Sequence, residues 1–149
     1  MVRTTTYKDA NLYHDLANGR AVTGVLHFLN GTPIEWYSRK QATVETATYG
    51  SEFTAARTAI QQIAALRLTL QYLGVNIEPS SYLFGDNESV VKSSTIPQSQ
   101  LGKRHHALAY HFTREAIASG MVVFNHLPSE LNVADILSKH WDHSQVYQL

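Results

Sequence analysis

The chain has 149 residues, 44% of them apolar and 16% charged, which indicates one folded globular domain over residues 1–149 and excludes a disordered chain. Twelve basic residues balance twelve acidic ones, whereas proteins that bind nucleic acid unaided usually carry a basic excess. Cysteine is absent, which excludes disulfides, thiolate metal ligands and cysteine nucleophiles and fits a reducing compartment. The sequence has no run of about 18 apolar residues, so no membrane segment is predicted.

The first part of the chain predicts strands. An extended segment at residues 4–8 leads to Asp9. The stretch AVTGVLHFLNGTPIEWYS predicts a hairpin, with strands at residues 22–29 and 34–38 on either side of an Asn-Gly-Thr-Pro turn.

A long helix is predicted over residues 49–73 by its apolar periodicity. Positions 52, 56, 59, 63, 66, 70 and 73 repeat at intervals of four and three, which places them on one helical face. Six of these positions are apolar and the first is Glu52, while Gly74 follows where a helix end is expected. An acid in a first turn can simply complement the helix dipole, but here it can also mean that the buried face ends at a polar site.

The second half of the chain alternates short strands and helices. The stretch SYLFGDNES predicts a strand that ends at Gly85–Asp86, followed by a brief helix to about Lys92 that Asn87 caps. A helix at residues 101–119, a strand at 121–126 and a helix at 132–138 complete the order β-β-β-α-β-α-α-β-α. This order predicts an α/β fold with a mixed five-stranded sheet covered by helices.

Four acidic residues lie where the predicted strands end or the helices begin: Asp9, Glu52, Asp86 and Asp135. If they converged at one sheet edge they would repel one another unless cations lay between them, and carboxylate oxygens without cysteine favour Mg²⁺ or Mn²⁺. Two such ions can stabilise the attacking and leaving oxygens of a phosphoryl displacement. Sequence spacing alone leaves each acid open to a structural interpretation as a turn residue, a cap or a first-turn acid.

Four stretches, in order from about Asp9 to Lys139, resemble the ribonuclease H domain of copia-type retrotransposon polyproteins. They are DANLYHDLANGRAVTGVLHFLNGTPIEWYSRKQ, ATVETATYGSEFTAA, FGDNESVV and RHHALAYHFTREAIASGMVVFNHLPSELNVADILSK. Each motif is weak alone, but four in register with the predicted elements between them are specific. The chain departs from the family's common patterns at Asn11 and in ADILSKHW, neither of which changes a proposed metal ligand.

The resemblance implies a ribonuclease H-like fold, with three antiparallel strands followed by parallel ones. It also implies an endonuclease that hydrolyses the RNA strand of RNA–DNA hybrids with two Mg²⁺ ions, Mn²⁺ being a possible substitute. Asp9 would bridge the ions, Glu52 and Asp86 would complete one site, and Asp135 the other. His126 corresponds approximately to a histidine that assists product release, and it could equally be a strand-end residue.

The same resemblance implies partners and a location. A reverse transcriptase domain is expected in the same polyprotein, and the domain is expected in cytoplasmic virus-like particles, with a nuclear location as an alternative. Asn87 and Glu52 would lie near the 2′-hydroxyl that distinguishes RNA. Phosphate contacts are predicted for two groups: Arg39, Lys40 and Gln41 after the third strand, and the basic run that includes Lys103, Arg104 and His105 at a helix start. The basic run could equally be a solvated helix end, and Trp36 and Trp141 are expected to pack in the core or at an edge rather than to stack on bases.

Two alternatives to this enzyme remain open at the level of sequence. The first is a catalytically idle ribonuclease H-like module for nucleic-acid binding or domain connection, which a loss of acids would have favoured. The second is another nuclease of the same superfold, such as an integrase or a resolvase, against which the Asp-Asn strand end and the absence of an integrase's zinc ligands argue.

Overall fold

The computed structural model describes residues 1–11, 19–42, 48–95 and 107–139, which contain five strands and four α-helices. The strands are β1 (Thr4–Asn11), β2 (Val22–Leu29), β3 (Thr32–Lys40), β4 (Ser81–Gly85) and β5 (Val122–His126). The helices are α1 (Thr48–Tyr72), α2 (Glu88–Thr95), α3 (Ala107–Ala118) and α4 (Asp135–Ser138), with a 3₁₀ turn at Ser129–Leu131. None of the helices in these ranges is both long and apolar enough to cross a membrane.

The strands form one mixed five-stranded sheet, as the sequence predicts, and their spatial order is β3-β2-β1-β4-β5. Strands β1, β2 and β3 are antiparallel neighbours, whereas β4 is parallel to β1 and β5 is parallel to β4. The carboxyl ends of β1, β4 and β5 therefore lie at one edge of the sheet, which is where α/β proteins place their sites.

Helix α1 covers one face of the sheet with the predicted apolar seam. Ala56, Ala59 and Ile63 are fully buried, and Glu52 is 2% exposed at the start of the same face. Helix α1 packs against β1 and α3, and its side chains share a core with β4 and β5. The helix ends one residue earlier than predicted, so Leu73 is exposed, and Gly74 takes the left-handed conformation (φ 78°) that a helix end favours.

Several sequence predictions differ from the structure. Strand β3 spans Thr32–Lys40 and is longer than the predicted residues 34–38. Strand β1 runs beyond residue 8, so Asp9 lies inside the strand and is fixed by its backbone pairing with Gly24. The final helix is shorter than predicted, because a 3₁₀ turn and a bend precede α4 and make Asp135 its first residue. Of the two positions expected for Trp36, core or edge, the structure shows the edge: it lies on the edge strand β3, although 70% of its surface is exposed. Trp141 lies outside the described residues.

Helix α4 rests directly on β2 at Gly24. A Cβ added to Gly24 would come within 2.8 Å of the Ala134 carbonyl oxygen and 2.9 Å of Leu137 Cβ. Only glycine at this position lets α4 come so close to β2. This close contact brings the start of α4 to the carboxyl edge of β1.

Candidate metal centre

Three carboxylates meet at the carboxyl edge of β1 and β4. Tyr7 pairs with Phe84 across these parallel strands, so Asp9 and Asp86 each lie two residues beyond that pair on neighbouring strands. Glu52 reaches the same point from the first turns of α1. One oxygen from each of Asp9, Glu52 and Asp86 lies within 4.8 Å of the others, a separation that suits ligands of one cation.

The fourth predicted acid, Asp135, adjoins this cluster through Asp9. The two carboxyl groups share a hydrogen bond, and the Ser138 hydroxyl donates to Asp9 Oδ2 at 2.5 Å. Lys139 Nζ lies 2.6 Å from Asp135 Oδ1. All four acids that the sequence singles out are therefore brought together, although they are separated by up to 126 positions along the chain.

Burial and crowding make this cluster electrostatically unfavourable without a cation. Burial, the hydrogen bond with Asp135 and the charge of Glu52 raise the pKa of Asp9 to about 8, against the opposing effect of Ser138. Burial also raises the pKa of Glu52, and the adjacent Lys8 ammonium opposes that increase. Carboxyl groups crowded in this way form a position that a divalent cation would stabilise. The donor set, all hard oxygen, fits Mg²⁺ or Mn²⁺.

Three further residues, which were not predicted from the sequence, support the site. Lys8 is completely buried and its Nζ lies 2.5 Å from Glu52 Oε2. Asn132 is also buried; it donates from Nδ2 to the Lys8 carbonyl and accepts at Oδ1 from the Ala134 N–H, which fixes the approach to α4. Ser138 is the third. The sequence carries no signal for Lys8: strand alternation places it on the same sheet face as Thr4 and Thr6, but the burial of that face is visible only in the structure.

The residues predicted to contact substrate are distributed around this centre. Asn87 caps α2 as predicted, with its Oδ1 accepting from the Val90 N–H at 3.1 Å. His126 is exposed at the end of β5, opposite Gly85 and thus next to Asp86 in the sheet. It lies in the strand end and not in a loop.

Arg39 and Lys40 are exposed at the end of β3, but Gln41 is not. Gln41 is buried, and its Nε2 donates to Thr23 Oγ1 and to the Ser51 carbonyl. This side chain ties β2 to the start of α1, which corrects its expected role as an exposed phosphate contact. The basic run with Lys103, Arg104 and His105 lies outside the described residues.

A substitution at Gly24 that displaces α4 should disturb this centre. We expect Gly24→Ala to cost about 1–3 kcal/mol of unfolding free energy, because the new methyl group collides with α4 backbone. The variant should also bind Mn²⁺ more weakly, since α4 carries Asp135. Urea denaturation and Mn²⁺ titration measure the two effects.

Gly31→Ala is the matched control for this substitution. It adds the same methyl group at a hairpin turn with nothing within 4 Å, where only the positive φ of 84° is strained. It should lose stability yet keep its Mn²⁺ affinity. Unchanged Mn²⁺ binding in Gly24→Ala would show that the position of α4 does not matter to the site.

Comparisons with known proteins agree with the fold and with the predicted resemblance. No protein-family model matches the chain. The chain is 27% identical over 133 residues to the retrovirus-related Pol polyprotein from transposon TNT 1-94 of Nicotiana tabacum, covering 89% of this chain and 10% of the polyprotein. It is 26% identical to the corresponding polyprotein from transposon RE2 of Arabidopsis thaliana, with 89% and 9% covered. The chain thus spans about a tenth of the length of these relatives.

Solved structures of ribonucleases H share the architecture. LC11-RNase H1, isolated from compost by a metagenomic approach, superposes with a TM-score of 0.67 at 21% identity, covering 92% of this chain and 93% of that one. The N-terminal RNase H domain of rv2228c from Mycobacterium tuberculosis gives a TM-score of 0.65 at 16% identity, with 93% and 91% covered. A structure of LC11-RNase H1 in complex with RNA/DNA hybrid gives 0.61 at 18% identity, with 92% and 93% covered. The predicted mixed-sheet ribonuclease H fold and the predicted resemblance to copia-type polyproteins are therefore confirmed.

Proposed function

We propose that this chain, a ribonuclease H-like domain related to the Pol polyproteins of copia-type retrotransposons, hydrolyses the RNA strand of RNA–DNA hybrids with divalent metal ions. The observation that carries the proposal is the convergence of Asp9, Glu52 and Asp86 within 4.8 Å, with Asp135 bonded to Asp9. Within the ribonuclease H fold, this cluster supports a nuclease more strongly than an idle module, because holding four acids together, with Asp9 and Glu52 buried, is unfavourable without a cation.

Each acid has a role in the proposal. Asp9 lies between the other acids and would be shared by both metal positions, with Glu52 and Asp86 completing one and Asp135 the other. Bound Mg²⁺ or Mn²⁺ would supply an activated water and would stabilise the charge that develops on the phosphate and on the departing 3′-oxygen. Ser138 holds Asp9 in its orientation through the hydroxyl hydrogen bond.

Recognition of the hybrid would fall to groups around the acidic cluster. Arg39 and Lys40 are exposed cations that suit backbone phosphates, and Asn87 lies next to Asp86 where a 2′-hydroxyl is expected. His126, exposed beside Gly85, is proposed to assist product release. A structural neighbour, LC11-RNase H1, is solved in complex with RNA/DNA hybrid, which supports the same class of substrate here. The neutral overall charge suggests that a reverse transcriptase domain of the same polyprotein contributes to substrate binding.

The test is a cleavage assay with three substrates. The purified chain is incubated with labelled RNA–DNA hybrid, duplex DNA and duplex RNA, each with Mg²⁺, Mn²⁺ or EDTA. We expect the chain to cleave the hybrid but neither duplex, and to do so only when Mg²⁺ or Mn²⁺ is present. The RNA products should carry a 5′-phosphate. Binding of hybrid without cleavage would indicate an idle binding module, and cleavage of duplex DNA would indicate a nuclease of another type.

A further inference from the structure

Lys8 is a cation built into the acidic centre. Its side chain is fully buried, and its Nζ donates to Glu52 Oε2 at 2.5 Å and to the Glu52 carbonyl oxygen at 3.2 Å. A lysine is almost never fully buried unless it is paired, so this ammonium and the Glu52 carboxylate belong to one interaction.

The surrounding fold is shaped to admit the lysine side chain. A Cβ on Gly85 would lie 2.7 Å from Lys8 Cε and 3.2 Å from its Nζ, so the stem of the lysine crosses β4 where there is no side chain. The ammonium lies 5.7 Å from the centre of the Phe124 ring, within reach of a cation–π contact. These contacts come from three different elements and fix the ammonium in one position.

This position places a positive charge where a divalent ion needs negative charge. Lys8 contacts Oε2 of Glu52, and the same carboxyl group contributes an oxygen to the cluster with Asp9 and Asp86. A buried unit charge within a few ångströms of a metal position weakens cation binding, and salt screens this effect much less than it does at the surface. The same charge also offsets part of the repulsion among the acids while the metal is absent.

We propose that Lys8 is a positioning residue of the metal centre: it holds Glu52 in place in the metal-free protein and lowers the affinity of the centre for divalent ions. The proposal deepens the proposed function and rests on it. It implies that metal occupancy depends strongly on bound nucleic acid, because the negative charge of a scissile phosphate compensates for the positive charge of Lys8.

The test is Mn²⁺ titration by calorimetry of the wild type and of Lys8→Met, which keeps the length of the side chain and removes its charge. We expect Lys8→Met to bind Mn²⁺ on the order of tenfold more tightly. Lys92→Met is the matched control, because it removes an exposed lysine paired with Glu88 and should leave the affinity unchanged. In a Glu52→Gln background, Lys8→Met should increase the Mn²⁺ affinity by a smaller factor, because the Glu52 carboxylate that the loss of Lys8 would free is no longer present.

Several outcomes would overturn the role of Lys8. Equal Mn²⁺ affinity in the wild type and Lys8→Met means that the ion pair only stabilises the fold. An equal gain in both backgrounds means that Lys8 does not act through Glu52. If no Mn²⁺ binds to either protein, the proposed metal centre itself is wrong, which separates that failure from the failure of the Lys8 proposal.

A measurement on the wild type covers the case in which Lys8→Met does not fold. The buried Lys8 ammonium is followed by nitrogen-15 NMR during Mg²⁺ titration. Its resonance should shift as Glu52 exchanges its partner, and a resonance that stays constant at saturating Mg²⁺ contradicts the proposal.

Discussion

Asp9→Asn and Asp86→Asn should each reduce hybrid cleavage on the order of a thousandfold or more while the chain remains folded. Both substitutions keep the size and shape of the side chain, but they replace an accepting oxygen with a donating NH2 group and remove a charge that a divalent ion requires. Because the acids repel one another in the absence of metal, the variants should be at least as stable as the wild type in EDTA. Single-turnover cleavage of labelled hybrid and thermal unfolding in EDTA measure the two effects.

Glu88→Gln provides the control for this pair. It makes the same kind of change two residues from Asp86, at an exposed side chain that pairs with Lys92 in α2. It should cleave hybrid at close to the wild-type rate. Wild-type cleavage by either aspartate variant would falsify the assignment of the acidic centre as the active site.

The stability of the metal-free protein should fall as the pH rises from about 4 to about 8. Burial and the neighbouring acids raise the pKa of Asp9 to about 8 in the folded state, whereas an unfolded aspartate titrates near its ordinary value of 3.8. Between these values the folded state holds a proton that the unfolded state has released, so the free energy of unfolding decreases with pH. We expect a loss of several kcal/mol from this group across the interval, since each pKa unit is worth about 1.4 kcal/mol. Urea denaturation in EDTA at several pH values measures it.

Two comparisons isolate the contribution of Asp9. Asp9→Asn cannot titrate, so its stability should depend less steeply on pH, and it should be more stable than the wild type at pH 8 in EDTA. Mg²⁺ should stabilise the wild type most at high pH, because it binds the ionised carboxylate. Glu78→Gln, which changes an acid that pairs with Arg3 away from the centre, should keep the wild-type slope. A wild-type slope in Asp9→Asn would mean that Asp9 is not the titrating group.

Local pattern was sufficient for the order of the elements along the chain and for the identity of the four acids, but not for the bounds of every element. The four-and-three periodicity around Glu52 predicts α1 within a residue of its ends, and the hairpin signal predicts the bounds of β2 correctly. Asn87 was correctly predicted to cap α2. These features depend on side-chain spacing and turn chemistry over a few residues, which the sequence displays directly.

The sequence by itself thus determined the order of strands and helices, the buried face of α1 and the acids that end it. Only the tertiary structure decided that these acids meet, because their distances depend on the parallel pairing of β1 with β4 and on the contact of α4 with Gly24. The same is true of Lys8: a lysine in a strand is normally solvated, and it is buried here only because Gly85 leaves room and Glu52 supplies the opposite charge. Such long-range contacts combine residues with no regular spacing, so no local pattern encodes them.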